Sequence, residues 1–299
     1  MTNRSLLAAT SLALSMFVAG VAHATPGPAD DRLVQTPVSW TYQTGLSTSE
    51  VQAIVDEDEF RITDLRIEDT SPMTYSVVLV ENTGAYKVTN SFFFHGITPD
   101  NAEDTFRDNN KRPIVMRAYV DDDVVKVAGI TVPNTGANFR SWDIRRGTKD
   151  HVTDPANRPT GHRPMIIDTY YIVTWSGYIP TFTQKFLLVW VDNTEGYNWS
   201  WGFNKTASQI DALQQPYNSL IDASCNNDDL MKCSVILYPL PTTHGVAQGS
   251  ATYDLSWLGL MLLAMSNQER LLFMTHYTLH GGGTYDGYEQ YFGSTVDNW

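Results

Sequence analysis

Three arginines recur at a fixed interval and are the first residues of this sequence whose type and spacing suit chemistry. Arg61, Arg112 and Arg163 are 51 residues apart, and each follows a glycine by sixteen residues. A guanidinium offers a planar fork of donors that fits a carboxylate, so three of them on one surface would bind an anion such as a peptide carboxylate. We favour the alternative, in which each arginine stabilises its own helix end or pairs with a neighbouring carboxylate, because cations suit a helix C-terminus.

Aromatic side chains form the second candidate binding surface, since the chain has eight tryptophans and fifteen tyrosines. Most of the tryptophans lie where bulky and polar residues alternate, which is typical of strands with one buried face, so we expect most of them to be buried. Trp175 and Trp201 break that register or lie in an insertion. We expect these two to be exposed as platforms for sugar rings or peptide side chains.

The chain has two cysteines, Cys225 and Cys233, which bracket the sequence CNNDDLMKC. In an exported protein such a pair indicates a disulfide across a hairpin, and the short loop that it closes gives it a modest stabilising effect. A metal site and a catalytic thiol are the alternatives.

We predict no metal and no cofactor. His276 and His280 are four residues apart, but the third ligand that a metal site needs is missing. Asp121 to Asp123 lack the spacing of a calcium-binding EF-hand, so we interpret them as a solvated turn.

Catalytic residues cannot be identified from the sequence, which has no Gly-x-Ser-x-Gly motif. A competing hypothesis is a secreted, peptidase-like hydrolase with its site in the C-terminal block around Glu269, His276 and Asp286.

The elements that would position these residues follow an internal repeat. Copies that start at Gly45, Gly96, Gly147 and Gly202 are spaced by 51, 51 and 55 residues, and Asn218 takes the arginine position of the fourth copy. A period near fifty indicates a tandem array whose units bury their apolar faces against their neighbours.

Each unit is predicted to be a strand, a short helix and an antiparallel hairpin. Ser47 with Glu50 fits a capping box, Thr98 precedes a proline that suits the first helical position, and Pro155 interrupts the helix of the third unit. We therefore predict an α+β fold of four units, stacked or closed into a propeller-like array, followed by a C-terminal β-hairpin block with its turn at Ser266 to Glu269.

The N-terminal segment reads as a secretory signal peptide, with an apolar run from Leu6 to Ala19 and small residues before a cleavage site after Ala24. The protein is therefore expected to be secreted or periplasmic, with no membrane span.

A net charge of −13 argues against nucleic acid and anionic membranes as partners. The predicted domains are the signal peptide 1–24, the repeats 25–241 (units near 38–88, 89–138, 139–195 and 196–241) and the C-terminal block with its Gly- and Tyr-rich tail 242–299.

The first unit, WTYQTGLSTSEVQAIVDEDEFRITDLRIEDTSPMTYSVVLVENTGAY, resembles one copy of the bacterial tandem repeat domain, which is also the N-terminal module of secreted fungal polyglycine hydrolases. The resemblance covers roughly Trp40 to Leu240. In those hydrolases the peptidase activity belongs to a separate C-terminal domain with a Ser-x-x-Lys nucleophile. No lysine of the mature chain has a serine three residues before it, so the resemblance implies the repeat fold without the catalytic domain.

These patterns lead to one functional hypothesis and two alternatives. The leading hypothesis is an exported, non-enzymatic module that binds peptide or glycan through a face shared by neighbouring units. The alternatives are the hydrolase described above and a structural surface or assembly protein that self-associates. The oligomeric state is not predicted.

Overall fold

The structure is a computed structural model. It describes residues 39–83, 87–194, 196–214, 218–226, 232–239, 251–255, 269–278 and 289–297. The predicted signal peptide and the Gly-rich start of the C-terminal tail lie outside the described residues.

The first unit shows how the local sequence sets the element order. Strand β1 (Trp40–Ser47) is followed by helix α1 (Thr48–Glu57), strand β2 (Phe60–Thr70) and strand β3 (Met73–Glu81). The predicted capping box is confirmed, because Ser47 accepts a bond from the backbone N–H of Glu50, and the Glu50 carboxylate accepts one from the backbone N–H of Ser47. Val51 is the fully buried residue of this short helix.

The same order of elements follows three more times. The second group is β4 (Phe92–Ile97), α2 (Pro99–Asp108), β5 (Lys111–Asp121) and β6 (Val124–Pro133); the third is β7 (Trp142–Gly147), α3 (Lys149–Thr153), β8 (His162–Ser176) and β9 (Ile179–Asp192); the fourth is β10 (Ser200–Lys205), α4 (Ala207–Leu213), β11 (Asn218–Asn226) and β12 (Lys232–Pro239). In every sheet the last strand lies in the middle, between the first and the second. As predicted, the third helix is cut short, and Pro155–Asn157 forms a separate 3-10 turn.

The predicted fold class is wrong. The chain is mostly β, since its described helices have ten residues or fewer, and its strands form separate three-stranded antiparallel sheets. Ladder hydrogen bonds join strands only within a sheet, so the sheets do not close into a barrel, and the predicted propeller-like α+β array is wrong as well. Short helices that cap one face of a sheet contribute too few residues to make the fold α+β.

The C-terminal block has more described strands than the single β-hairpin that the sequence predicted. Strands β13 (Ala251–Leu255), β14 (Glu269–Thr278) and β15 (Glu289–Asp297) form a fifth three-stranded sheet, again with the last strand in the middle. Glu269 begins β14 and pairs with β15, and the other residues of the predicted turn, Ser266 to Gln268, lie outside the described residues.

The structure corrects the phase of the fourth unit. Gly45 and Gly96 have positive φ angles of 67° and 73° two residues before a helix N-cap, and Asn204, with φ of 51°, holds that position in the fourth unit. Gly202, which the sequence placed there, lies two residues earlier. Asn tolerates the left-handed region better than most residues, which explains the substitution.

The arginine position of the fourth unit is likewise shifted by one residue. The second strand of each of the first three sheets has a β-bulge. The bulge begins one ladder pair after Arg61, Arg112 or Arg163. In β11 the bulge follows Leu220, so Ser219 holds the arginine position and the predicted Asn218 does not.

Three asparagines connect successive units. The side-chain amide of Asn134 donates to the carbonyl of Arg140 at 2.9 Å and accepts from its N–H at 2.8 Å. Asn82 makes the same pair of bonds with Val88, and Asn193 makes it with Tyr197. Each amide replaces a missing ladder partner where the chain leaves one sheet for the next.

The hydrophobic cores lie between neighbouring sheets. One cluster joins the first and second sheets, another joins the second and third, and another joins the third and fourth. The second strands lie beside one another in the order β2, β5, β8, β11 and β14, and β14 also contacts β2. Each of the first four sheets therefore buries apolar side chains against a neighbouring sheet.

The predicted disulfide is confirmed. Cys225 and Cys233 are ladder partners on β11 and β12, and their sulfurs are bonded. None of the helices in the described segments has the length and apolar character needed to cross a membrane.

Candidate ligand-binding site

The three recurring arginines are buried. Arg61, Arg112 and Arg163 expose 5%, 0% and 2% of their surface. The Arg163 guanidinium donates to the hydroxyl of Tyr238 at 2.7 Å and lies over the rings of Tyr197 and Tyr238. Guanidiniums buried in this way are closed to a carboxylate from solvent, and Arg163 bonds to a tyrosine hydroxyl, which the sequence did not predict.

The two tryptophans expected to be exposed differ from each other. Trp175 is 67% exposed, as predicted. Trp201 is partly buried, which contradicts the expectation. Its ring lies 5.6 Å from that of Trp190 and 5.2 Å from that of Phe203, and the Arg158 guanidinium lies 4.7 Å above it. Trp201 therefore packs against the core between the third and fourth sheets, and Trp175 remains as a candidate for ligand binding.

Trp175 belongs to an extension of the third hairpin. Strands β8 and β9 have 15 and 14 residues, whereas β5 and β6 have 11 and 10. The last ladder pair of β5 and β6 joins Asp121, nine residues after Arg112, to Val124. The equivalent pair in the third hairpin is Ile172, nine residues after Arg163, with Thr183, and the β8–β9 ladder continues beyond it. We call the added residues, 173–182, the aromatic ribbon. It projects about 13 Å beyond the equivalent end of β5 and β6, at ~3.3 Å per strand residue.

One face of the aromatic ribbon is apolar. Ladder partners share a face of a sheet, so the pairs Val173 with Phe182 and Trp175 with Pro180 form a continuous apolar surface. Threonines 174 and 181 pair on the opposite face, and the strands are joined through Gly177, whose φ of 65° suits a tight turn. The large side chains of the ribbon are exposed by 64% to 99%: Trp175, Tyr178, Ile179 and Phe182.

The aromatic ribbon is also free of charge in a strongly acidic protein. No charged residue occurs between Asp168 and Lys185, although the chain has a net charge of −13. The ends of the first two hairpins are acidic, with Glu68 and Asp69 in one and three consecutive aspartates in the other. A contiguous exposed apolar patch is typical of an interaction site.

A polar contact holds the base of the ribbon against the fourth sheet. The amides of Gln184 and Asn204 donate to each other at 2.9 and 2.8 Å, and Gln184 also donates to the hydroxyl of Tyr171 at 3.3 Å. These hydrogen bonds join the two strands of the hairpin to each other and to the fourth sheet, so they fix the position of the base of the ribbon.

One edge of the ribbon has no neighbouring strand in the part of the chain that the structure describes. The ladder between β7 and β9 ends at the pair of Gly147 and Phe186. From Ile179 to Lys185, β9 has ladder partners in β8 and in no other described strand. An edge of this kind presents backbone donors and acceptors to any strand that approaches it.

The sequence analysis missed a cluster of buried charges where the second strands meet. Arg117 donates to Asp64 at 2.7 Å and to the two oxygens of Asp222 at 2.8 and 3.0 Å. Arg66 donates to the same two carboxylates, at 3.1 Å each. Asp168 accepts from the hydroxyl of Ser224 at 2.9 Å and from a backbone N–H of β5. We call these six residues, which expose at most 6% of their surface, the central cluster: Asp64, Arg66, Arg117, Asp168, Asp222 and Ser224.

Burial and charge act against each other in the central cluster. Burial raises the pKa of Asp168, although Arg117 and Arg66 act to lower it. Burial and the nearby Arg117 lower the pKa of Arg66, whereas Asp222 and Asp64 outweigh burial and raise the pKa of Arg117. Three carboxylates against two guanidiniums leave one acid in excess, which is consistent with a raised pKa for one of them.

A signal for the central cluster was present in the sequence. Arg66, Arg117 and Asp168 each follow a recurring arginine by five residues, and Ser224 follows Ser219 by the same interval. The bulge shared by these strands brings that position to the same place in each sheet, which the sequence could not show.

The C-terminal alternative site lies outside what the structure describes. Asp286 and His280 fall outside the described residues, and so do the side chains of Glu269 and His276. Among the described residues, no group of three or more histidine, cysteine or acidic side chains is placed to hold a metal ion.

No family model matches this chain, and no curated protein matches it. The resemblance of its first unit to the bacterial tandem repeat domain therefore stays a prediction.

Proposed function

We propose that this protein is an exported, non-enzymatic module of tandem units, similar to the bacterial tandem repeat domain, and that it binds uncharged peptide or glycan through the aromatic ribbon. The exposure of four large apolar side chains on the ribbon supports this proposal most directly. Burying one such side chain is worth about 1.5–3 kcal/mol. These side chains stay exposed in the folded chain, so the free energy of burying them is gained only when a partner covers the ribbon.

Two further observations support export. The N-terminal segment has the charge, apolar run and small residues of a secretory signal. The disulfide between Cys225 and Cys233 is of a kind that persists in oxidising compartments outside the cytoplasm.

The proposal is tested by shortening the hairpin. Residues 173–182 are replaced by two aspartates, which reproduces the turn between Asp121 and Val124 on the equivalent pair of Ile172 and Thr183. Binding of the purified mature protein to immobilised uncharged peptides and neutral polysaccharides is then compared with that of the shortened variant. We expect the wild-type protein to retain a ligand that the shortened variant loses.

Phe139→Ala serves as the matched control, because Phe139 is 60% exposed and lies outside the ribbon. Equal binding by the wild-type protein and the shortened variant would reject the ribbon as the site. Robust turnover of peptides, esters or glycans by the pure protein would reject the non-enzymatic assignment.

A further inference from the structure

We infer that the ligand of the aromatic ribbon is an extended, uncharged polypeptide that adds to the free edge of β9 in line with β7. The inference rests on the proposed function and narrows its ligand from two classes to one. It follows from the backbone of β9, from the side chains of the ribbon and from the distribution of charge.

The backbone of β9 provides the recognition surface. Its residues from Phe186 to Val191 already hold β7 in an antiparallel ladder, and its residues from Ile179 to Lys185 have no described strand on that side. A peptide strand placed there continues an existing ladder over about 20 Å, and its main chain finds donors and acceptors at the edge. Pro180 contributes only its carbonyl group.

The side chains of the ribbon set the pattern of the peptide. Neighbouring strands place alternate side chains on the same face, so every second residue of the peptide lies beside Phe182 and Pro180. The others lie beside Thr181 and, next to the turn, Ile179. The ribbon therefore selects a strand that alternates apolar residues with small polar ones.

The chemistry of the apolar face favours a peptide over a glycan. Sugar rings stack on tryptophan only when hydrogen-bonding groups around the ring satisfy their hydroxyls, because unpaired polar groups lose binding free energy on desolvation. Around Trp175 the face offers Val173, Pro180 and Phe182, and the nearby amide of Gln184 is already bonded to Asn204.

Charge restricts the ligand further. The ribbon has no charged side chain to pair with one on the ligand, and the rest of the chain repels acidic partners. A charged residue on the peptide would be desolvated against the apolar face without compensation.

The test uses a fluorescein-labelled, seven-residue peptide that alternates valine and threonine and has both termini blocked. Fluorescence anisotropy measures its binding to the mature protein. The control peptide has the same sequence with an N-methyl group on every residue, which removes the backbone donors of both edges. We expect the control peptide, and separately the double variant Trp175→Ala/Phe182→Ala, to weaken binding at least tenfold, and Phe139→Ala to leave it within twofold.

Other outcomes would overturn the inference in distinguishable ways. Equal binding of the two peptides would exclude strand addition. Ribbon-dependent binding of a soluble neutral β-glucan without peptide binding would identify a glycan ligand and leave the proposed function standing. Self-association of the protein that disappears in the shortened variant, measured by sedimentation velocity, would identify a second copy as the occupant. Absence of binding to both probes at about 1 mM, a Kd range of very weak complexes, would reject the inference and the proposed function together.

Discussion

The central cluster and the aromatic ribbon reverse the usual distribution of residue types between the interior and the surface. The central cluster buries five charged side chains to 6% exposure or less, and the ribbon exposes four large apolar side chains by 64% or more. The charges can be buried because each is held by an opposite charge or a hydrogen bond from another sheet. The ribbon side chains are exposed because their strands extend past the adjacent elements on which they would pack.

The two regions differ in what they connect. Arg117 on β5 bonds to Asp64 on β2, to Asp222 on β11 and to the backbone carbonyl of Ile167 on β8. Among the described residues, the base of the ribbon bonds to the fourth sheet through Gln184 and Asn204. We therefore expect changes in the central cluster to affect stability, and changes in the ribbon to affect binding alone.

The largest effect is expected from Arg117→Met. The substitution leaves Asp64 and Asp222 buried with one guanidinium fewer, so the free energy of unfolding should fall by about 3–5 kcal/mol. Urea unfolding followed by circular dichroism measures it. Arg146→Met is the control, since the Arg146 pair with Asp100 is exposed and its loss should cost about 1 kcal/mol or less. Equal losses in the two variants would remove the distinction between buried and exposed charge.

The second largest effect is expected from the disulfide, which acts within a single sheet. Replacing both Cys225 and Cys233 with alanine opens a link between residues eight apart in sequence. The free energy of unfolding should fall by about 2.5 kcal/mol, mainly because the unfolded chain gains freedom. Denaturation of this variant should be insensitive to reductant, whereas the wild-type protein should lose stability when reduced. A wild-type protein indifferent to reductant would contradict the prediction.

A smaller effect is expected from the pH dependence that Asp168 contributes. Because burial raises its pKa in the folded state above the ordinary 3.8, the folded protein holds this proton at pH values where the unfolded chain has lost it. The contribution of Asp168 to stability is therefore greatest below pH 3.8 and is lost as the pH rises through the folded pKa. Asp168→Asn cannot titrate and keeps the shape of the group.

The measurement compares unfolding free energies of the wild-type protein and Asp168→Asn across a pH series. The wild-type value minus the variant value should decrease as the pH rises from the acidic end. A constant or increasing difference would show that the pKa of Asp168 is not raised.

The smallest effect on stability is expected in the ribbon. Trp175→Ala should change the free energy of unfolding by about 0.5 kcal/mol or less, because the side chain has few packing contacts to lose. Trp190, which is 1% exposed in the adjacent body of β9, provides the contrast, and Trp190→Ala should cost about 3–5 kcal/mol. A large loss for Trp175→Ala would mean that the ribbon stabilises the fold and would weaken its assignment as a binding site.

Local features could be predicted from the sequence because they depend on neighbouring residues. The capping box at Ser47 and Glu50, the helix broken at Pro155, the disulfide and the exposure of Trp175 are examples. The fold class was wrong because short, well-capped helices give a clear signal although they contain few residues. The phase of the fourth unit was wrong because a glycine was used as its marker, whereas the backbone requires a positive φ that Asn204 also adopts.

The sequence by itself determined the order of strand, helix and hairpin in each unit, the period at which it recurs, and the uncharged character of residues 173–182. These follow from hydrogen bonding and side-chain chemistry within a few residues. Only the tertiary structure decided that Arg66, Arg117 and Asp168 meet at one place and that the side chains of the ribbon are exposed beside the described elements. Such contacts join residues about fifty or more positions apart, and they depend on how whole sheets pack against each other.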